Sequence, residues 1–343
     1  MSKAAELAAL IGGTSGSSLS NRNLIINGAM QVAQRGTSFT STGYTLDRMQ
    51  MLTANTDNVA FTTTQSSTAP DGFANSLKVD ITTAETTLDS DELFRLLHKI
   101  EGQDLQHLNY GSSAAKSVTL SFYVRSNVTG IYTVEFRLNA SGTSTITKQY
   151  TISSADTWER KELTLPANTA TAISNNNSNG FEISFALAAG SNFTTGALGT
   201  SWATTATASR YAGHAANVMS STSNDWYITG VQLEVGEQAT PFEHRSYADE
   251  LARCQRYYVE NTVCSSQADM DGANYMSARG FFPVSMRAVP TISNMTIQAQ
   301  GNMNAGATIN STQASTESVS LFSLASGAGN TFVYYNFDAS AEL

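Results

Sequence analysis

Long hydrophobic runs are missing from this sequence. No stretch approaches the roughly 18 apolar residues of a membrane-crossing helix. The apolar run at residues 7–11 is short and follows Glu6, unlike a secretory leader. Membrane insertion is therefore not expected, and the chain reads as one made in the cytoplasm. Basic residues are also scarce: 19 Lys and Arg face 28 Asp and Glu, for a net charge of −9. Nucleic-acid binders normally carry a basic face, and no Lys/Arg stripe occurs here, so no nucleic-acid partner is expected. There are only two cysteines, Cys254 and Cys264. One bridge cannot scaffold so long a chain, and neither thiol has neighbours at metal-ligand spacing. Both are expected to be buried thiols.

Catalytic signatures are absent as well. The sequence contains no phosphate-binding G-x-x-x-x-G-K-[ST], no dinucleotide fingerprint, no G-x-S-x-G elbow and no H-E-x-x-H. Its four histidines, His98, His107, His214 and His244, lack partners at useful spacing. Asp269, Asp271 and Gly272 resemble half of a calcium loop, but Gly280 stands where its bidentate glutamate belongs. Glu135, Glu159, Glu162 and Glu182 fall on the polar sides of strand patterns, and sequence alone does not pair them as a glycosidase requires. No enzyme activity, metal or cofactor is expected.

What is present is period-two alternation. Val118, Leu120, Phe122 and Val124 alternate with polar residues, as do Tyr132, Val134, Phe136 and Leu138. Phe181, Ile183, Phe185 and Leu187 repeat the pattern, and Tyr227, Val231, Leu233 and Val235 form a further apolar set. Leu24, Ile26, Met30 and Val32 are expected to share one face of an opening strand. Such alternation marks strands with one buried and one wet face. About ten strands with no helical period between them predict an antiparallel jelly-roll sandwich over residues 21–240. A long uncharged stretch between the strands near 187 and 226 is expected to be functional or covered.

Residues 241–257 break the pattern. Ser246 and Asp249 have capping-box spacing, and Tyr247, Leu251 and Cys254 share a helical face. A connector with a short helix is predicted, leading to a second, smaller β-sandwich domain over 258–343. The fold class is thus all-β. Charges and aromatics crowd this connector, and Phe242, Arg245, Tyr247, Leu251, Tyr257 and Tyr258 are expected to form a domain or subunit junction. At the other end, residues 1–20 read as a short helix with Leu7, Leu10 and Ile11 on one face, then a Gly/Ser linker. This is either an anchor to a larger assembly or a frayed terminus. Tyr123, Trp202 and Tyr211 are candidate glycan contacts, since amphipathic rings suit sugars, with packing in a core or interface as the alternative.

Two stretches carry a resemblance. "SNRNLIINGAMQVAQRGTSFTSTGYTLDRMQML" and "WYITGVQLEVGEQATPFEHRSYADELARCQRYY" resemble hallmarks of tailed-phage virion proteins of the tail-fibre family. The region 93–126 is similar to the core of carbohydrate-binding-module jelly rolls, with His98-Lys99 where a Gln is usual. "FFPVSMRAVPTIS" and the terminal "SAEL" are similar to the C-terminal domains of phage tail fibres. The resemblance implies a non-enzymatic virion structural protein, docked by its N-terminus on other virion proteins of the tail or capsid. It also implies a homotrimer exposing a β-rich distal part; the last domain or the long loop around Trp202 is expected to meet the host surface, with a host surface glycan as a further expected partner. A capsid fibre or decoration protein and a glycan-binding module are the other readings.

Overall fold

The computed structural model describes residues 21–139, 144–272, 275–302 and 311–343. The expected anchor residues Leu7, Leu10 and Ile11 lie outside them. The chain forms two compact units. The first runs through Arg245, without Val32–Gly36, and the second comprises Ser246–Leu343 together with Val32–Gly36. The division falls inside the stretch expected to connect two domains. Among the described residues no helix is long and apolar enough to cross a membrane.

Among the described residues the first unit holds thirteen strands: β1 (Ser38–Phe39), β2 (Gly43–Tyr44), β3 (Gln50–Ala54), β4 (Ala60–Ser66), β5 (Ser76–Thr83), β6 (Leu93–Glu101), β7 (Val118–Ser126), β8 (Gly130–Leu138), β9 (Ser144–Ile152), β10 (Glu159–Leu165), β11 (Asn179–Ala189), β12 (Ala203–Thr204) and β13 (Asp225–Val235). They form a six-stranded sheet, β1-β4-β5-β13-β7-β10, and a seven-stranded sheet, β12-β9-β8-β11-β6-β3-β2. Every described pairing is antiparallel, and the two-sheet arrangement is the expected jelly-roll sandwich. Phe122 of β7 meets Phe185 of β11 edge-on at 5.2 Å, and Trp226 meets Phe185 at 6.4 Å, so these rings fill the space between the sheets.

Two expectations fail locally. First, the opening alternation is inverted at its start, although Met30 and Val32 are buried as expected. Ile25 is fully buried while Leu24 and Ile26 are half-buried, and residues 23–32 lie in no strand. Asn27 and Met30 adopt left-handed backbone (φ 61° and 55°), which ends any ladder. Second, Trp226 and Ile228, rather than Tyr227, point into the core with Leu233. A bulge between Thr229 and Gln232 inserts one residue against β7 and flips the parity. Gly230 makes the bulge. Its φ is +61°, and an added Cβ would lie 2.7 Å from the Phe73 ring.

Strands β7, β11 and β13 are also buried on both faces, not one. Chain segments cover the outer side of each sheet, as the next subsection describes.

The second unit begins with a helix, Tyr247–Gln255. Ser246 caps it: its Oγ accepts the Asp249 N–H at 3.2 Å and donates to Asp249 Oδ2 at 2.6 Å. Among the described residues six strands follow: β14 (Tyr258–Met270), β15 (Tyr275–Phe281), β16 (Thr291–Gly301), β17 (Ser311–Ala314), β18 (Ser318–Leu324) and β19 (Gly329–Ser340). They make two three-stranded sheets, β14-β19-β16 and β15-β18-β17. Val333, Tyr335 and Phe337 of one sheet pack with Met276, Val319 and Leu321 of the other, a small sandwich core. Cys254 and Cys264 are both buried and form no disulfide, and burial raises the Cys264 thiol to about 11.

Candidate functional site

The two stretches that carry the family resemblance are more than 200 residues apart, yet they meet within the first unit. Asn23 is the staple. Its Nδ2 donates to Val231 O at 3.1 Å, and its Oδ1 accepts the N–H groups of Leu233 (3.1 Å) and Ile25 (2.9 Å). Backbone bonds from Leu24 N to Leu233 O and from Val231 N to Gly28 O, both 2.9 Å, flank it. Gly28 must lack a side chain, because a Cβ there would lie 2.1 Å from Val231 O. Glu243 accepts the backbone N–H of Asn23 at 2.9 Å, and Arg245 donates to Ile25 O at 3.0 Å and to Asn23 O. Burial opposes charge on Glu243, but the Asn23 N–H and the Arg245 guanidinium outweigh it and hold the carboxyl below its ordinary range.

The remaining expected junction residues divide between the units. Phe242 belongs to the first, where Phe73, Tyr123, Phe242 and His244 form a ring cluster with centroids 4.9–5.4 Å apart. The first three are half-buried and His244 is exposed, on the outer face of the six-stranded sheet. In the second unit Tyr247 is exposed and Leu251 half-buried, whereas Tyr257 and Tyr258 are buried. Tyr258 donates to Asp338 Oδ2 at 3.0 Å, and the Arg35 guanidinium stacks 3.6 Å from its ring centroid.

The long stretch after β11 covers part of the outer face of the seven-stranded sheet. Arg210 grips Glu135 of β8 through two bonds, Nε to Oε1 at 2.9 Å and Nη2 to Oε2 at 2.8 Å. Thr147 Oγ1 donates to Arg210 O at 2.7 Å, and Gln149 Nε2 donates to Ala212 O at 3.0 Å. Tyr211, a candidate glycan contact, is fully buried beneath this segment, its hydroxyl 2.6 Å from Ser184 Oγ. It cannot meet a ligand there, because its ring packs with Leu93, Ala186 and Ala189. Trp202 is half-buried, donates to Pro166 O at 2.7 Å and packs edge-on against Phe181 and Tyr110, so it fastens the segment. Of the three candidate rings, Tyr123 alone stands in an open aromatic cluster.

His214 closes the segment. It is 8% exposed, and its Nδ1 lies 3.2 Å from Thr133 Oγ1. Burial lowers its pKa to about 4. The unfolded chain therefore takes up this proton near pH 6.5 and the folded chain only near 4. Stability from this group is complete above pH 6.5 and is lost as pH falls toward 4, by about 3 kcal/mol in all. Urea midpoints of His214→Gln should fall less between pH 7 and 4 than those of the unchanged chain; equal slopes would contradict the assignment.

Beside the covered area the same sheet face is open and polar. Antiparallel register puts Lys99, Glu182 and Arg137 in one row across β6, β11 and β8. Arg95 joins them, its Nη1 3.9 Å from Glu182 Oε1 and 3.3 Å from the Tyr211 hydroxyl. These side chains can bind charged and hydroxylated ligands. Glu135 and Glu182 share this face, but both oxygens of Glu135 are held by Arg210.

The fold also assembles a group invisible in the sequence. The carboxylates of Asp57, Glu85 and Glu92 lie within 4.8 Å of one another, a set of hard oxygens suited to a cation such as calcium. Burial, and then the Glu85 charge, raise the Glu92 pKa despite backbone donors at its oxygens. Asp269 and Asp271 belong to no such group among the described residues.

No family model matches this chain, and no curated protein matches it. Solved structures with a similar fold exist. One is the enzymatically active domain of tailspike protein 4 of bacteriophage CBA120, at 12% identity and a TM-score of 0.34, covering 63% of this chain. The chain spans 22% of that tailspike domain's length. Another is the family 11 carbohydrate-binding module of a cellulosomal cellulase of Clostridium thermocellum, at 10% identity and a TM-score of 0.31, covering 59% of this chain and 96% of that one. A third is a family 61 carbohydrate-binding module in complex with β-1,4-galactotriose, at 10% identity and a TM-score of 0.30, covering 63% and 100%.

Proposed function

We propose that the chain is a non-enzymatic structural protein of a tailed-phage virion, a tail fibre or related appendage whose jelly roll contacts a glycan on the host surface. The observation that supports it most is the convergence of its hallmark stretches. Asn23, Gly28, Gln232, Glu234, Glu243 and Arg245 are resemblance-bearing residues, and they build one hydrogen-bonded seam. That these residues share one seam supports the resemblance. The open polar face of the seven-stranded sheet is the candidate glycan contact.

In the same reading the second unit supports self-association as a homotrimer. Val263, Tyr275, Phe281, Val289 and Tyr334 are 41–68% exposed there, and such apolar surface marks interfaces.

Residues 1–20 are the docking segment of this proposal. Virions assembled with a chain lacking residues 2–20 should carry none of it, by immunoblot of purified particles, while the truncated protein keeps its melting temperature. Particles that retain it would refute the anchor. Immunogold imaging of the full chain distinguishes tail from capsid.

A further inference from the structure

We infer that a cavity at the end of the seven-stranded sheet takes one neutral hexose unit of a glycan. The inference rests on the glycan-contact reading above and adds a second contact with its ligand class. Where β6 ends, the chain enters a short 3₁₀ helix, Gly102–Leu108. That helix and the turn after it stand against residues 172–173, and a cavity of about 270 Å³ lies between them. Pockets for drug-sized ligands run from about 300 Å³ upward, so this one suits a single sugar ring rather than a chain. Its walls are tied together in advance. Gln106 bridges them, its Nε2 donating to Gly102 O at 2.8 Å and to Ile173 O at 3.2 Å. Gly111 donates to Asn168 O at 2.9 Å and lies so close that an added Cβ would be 2.6 Å from Ala172 Cα. Tyr110 completes the lining and is braced by Trp202, edge-on at 6.1 Å. A ligand entering such a site has little left to order.

The lining divides by chemistry. Leu105 and Ile173 are buried, and with the Ala172 methyl they supply apolar surface. Gln106, Asn109 and Ser112 are exposed and supply amides and a hydroxyl that a ligand can reach. The Asn109 side-chain amide has no hydrogen-bond partner among the described residues. None of the lining residues is charged. The cavity therefore offers no counter-charge to an anion or a cation, and no carboxylate or imidazole to a metal. A wholly apolar guest would take water from the amides and return no hydrogen bond. A neutral pyranose matches both halves: the C–H face of its ring meets Leu105 and Ile173, and its hydroxyls donate to and accept from the amides.

Saturation-transfer NMR titration of the full chain tests this with methyl β-galactoside, methyl β-glucoside and methyl α-mannoside, and with cyclohexanol as a ring that lacks the other hydroxyls. At least one glycoside should bind, in about the millimolar range of so small a ligand, with cyclohexanol at least tenfold weaker. High salt should leave the affinity unchanged, since no charge takes part. Asn109→Gly keeps the left-handed backbone of that position (φ 53°) and removes only the amide; it should weaken the glycoside at least tenfold. Ala172→Leu, which fills the cavity, should abolish binding, and Asp71→Asn, a surface change elsewhere, should do nothing. If either cavity variant lowers the melting temperature, Ser112→Ala takes its place and should weaken binding several-fold. No binding of any glycoside, equal binding of cyclohexanol, or glycoside binding untouched by the cavity variants overturns the hexose site. A glycan array with the same proteins separates the two readings. Oligosaccharide binding that survives the cavity variants leaves glycan contact on the sheet face intact, and no binding of any oligosaccharide overturns that contact as well.

Discussion

Asn23→Ala should destabilise the first unit by on the order of 4 kcal/mol. The side chain is 4% exposed and makes three hydrogen bonds to backbone groups. Alanine removes them and leaves two N–H groups, of Ile25 and Leu233, and one carbonyl, of Val231, without that partner. Each stranded group costs about 1–3 kcal/mol, and partial access of water returns some of it. Few single changes outside a hydrophobic core cost so much. The urea midpoint of the first unit's transition is the measurement. A change below about 1 kcal/mol would show that the seam is an accessory and not a staple.

Arg210→Met should cost nearly as much, about 3 kcal/mol, by a different route. Glu135 is wholly buried, and the substitution strips both its hydrogen bonds from Arg210. Breaking a buried pair from one side costs roughly 3–5 kcal/mol, because the remaining charge stays out of water. The lower end applies here, since Arg137 Nη2 remains 3.6 Å from Glu135 Oε1. The double variant Arg210→Met with Glu135→Leu should recover much of the loss, because a buried ion pair is often replaceable by apolar groups of similar volume. Equilibrium unfolding of the three proteins makes the comparison, and a double variant no better than the single one would contradict a stranded-charge origin.

The sequence disclosed the sheets better than their surroundings. Alternation in β7 and β8 correctly assigned Val118, Leu120, Phe122, Val134 and Phe136 to the core, because an uninterrupted strand keeps parity. It failed in β13, where one extra residue at Gly230 exchanges the faces and puts Tyr227 outside. It failed again at Leu24 and Ile26, though not at Met30 and Val32, because Asn23 and Asn27 are buried by hydrogen bonds that a hydrophobic pattern cannot register. Helix capping at Ser246 was readable because the partner is three residues away. The site residues were harder. Arg210 and Glu135 lie 75 residues apart, and Asp57 and Glu85 lie 28 apart, so no local spacing announces either group. Trp202 and Tyr211 stood out as rings in a polar stretch, and only the path of that stretch over the sheet shows that they hold it down.

The membership of Val32–Gly36 in the second unit bears on how this protein is made. Gln34 donates to Tyr258 O at 2.9 Å, and Arg35 pairs with Glu342 at 3.1 Å. The ribosome therefore delivers one piece of this unit, Arg35, 307 residues before its partner Glu342. Domains commonly fold in the order they are made, but here a piece of the second unit, Val32–Gly36, precedes most of the first and must wait unpaired until Ser246–Leu343 follows. Cutting the backbone between Arg245 and Ser246 would likewise release a fragment lacking part of itself.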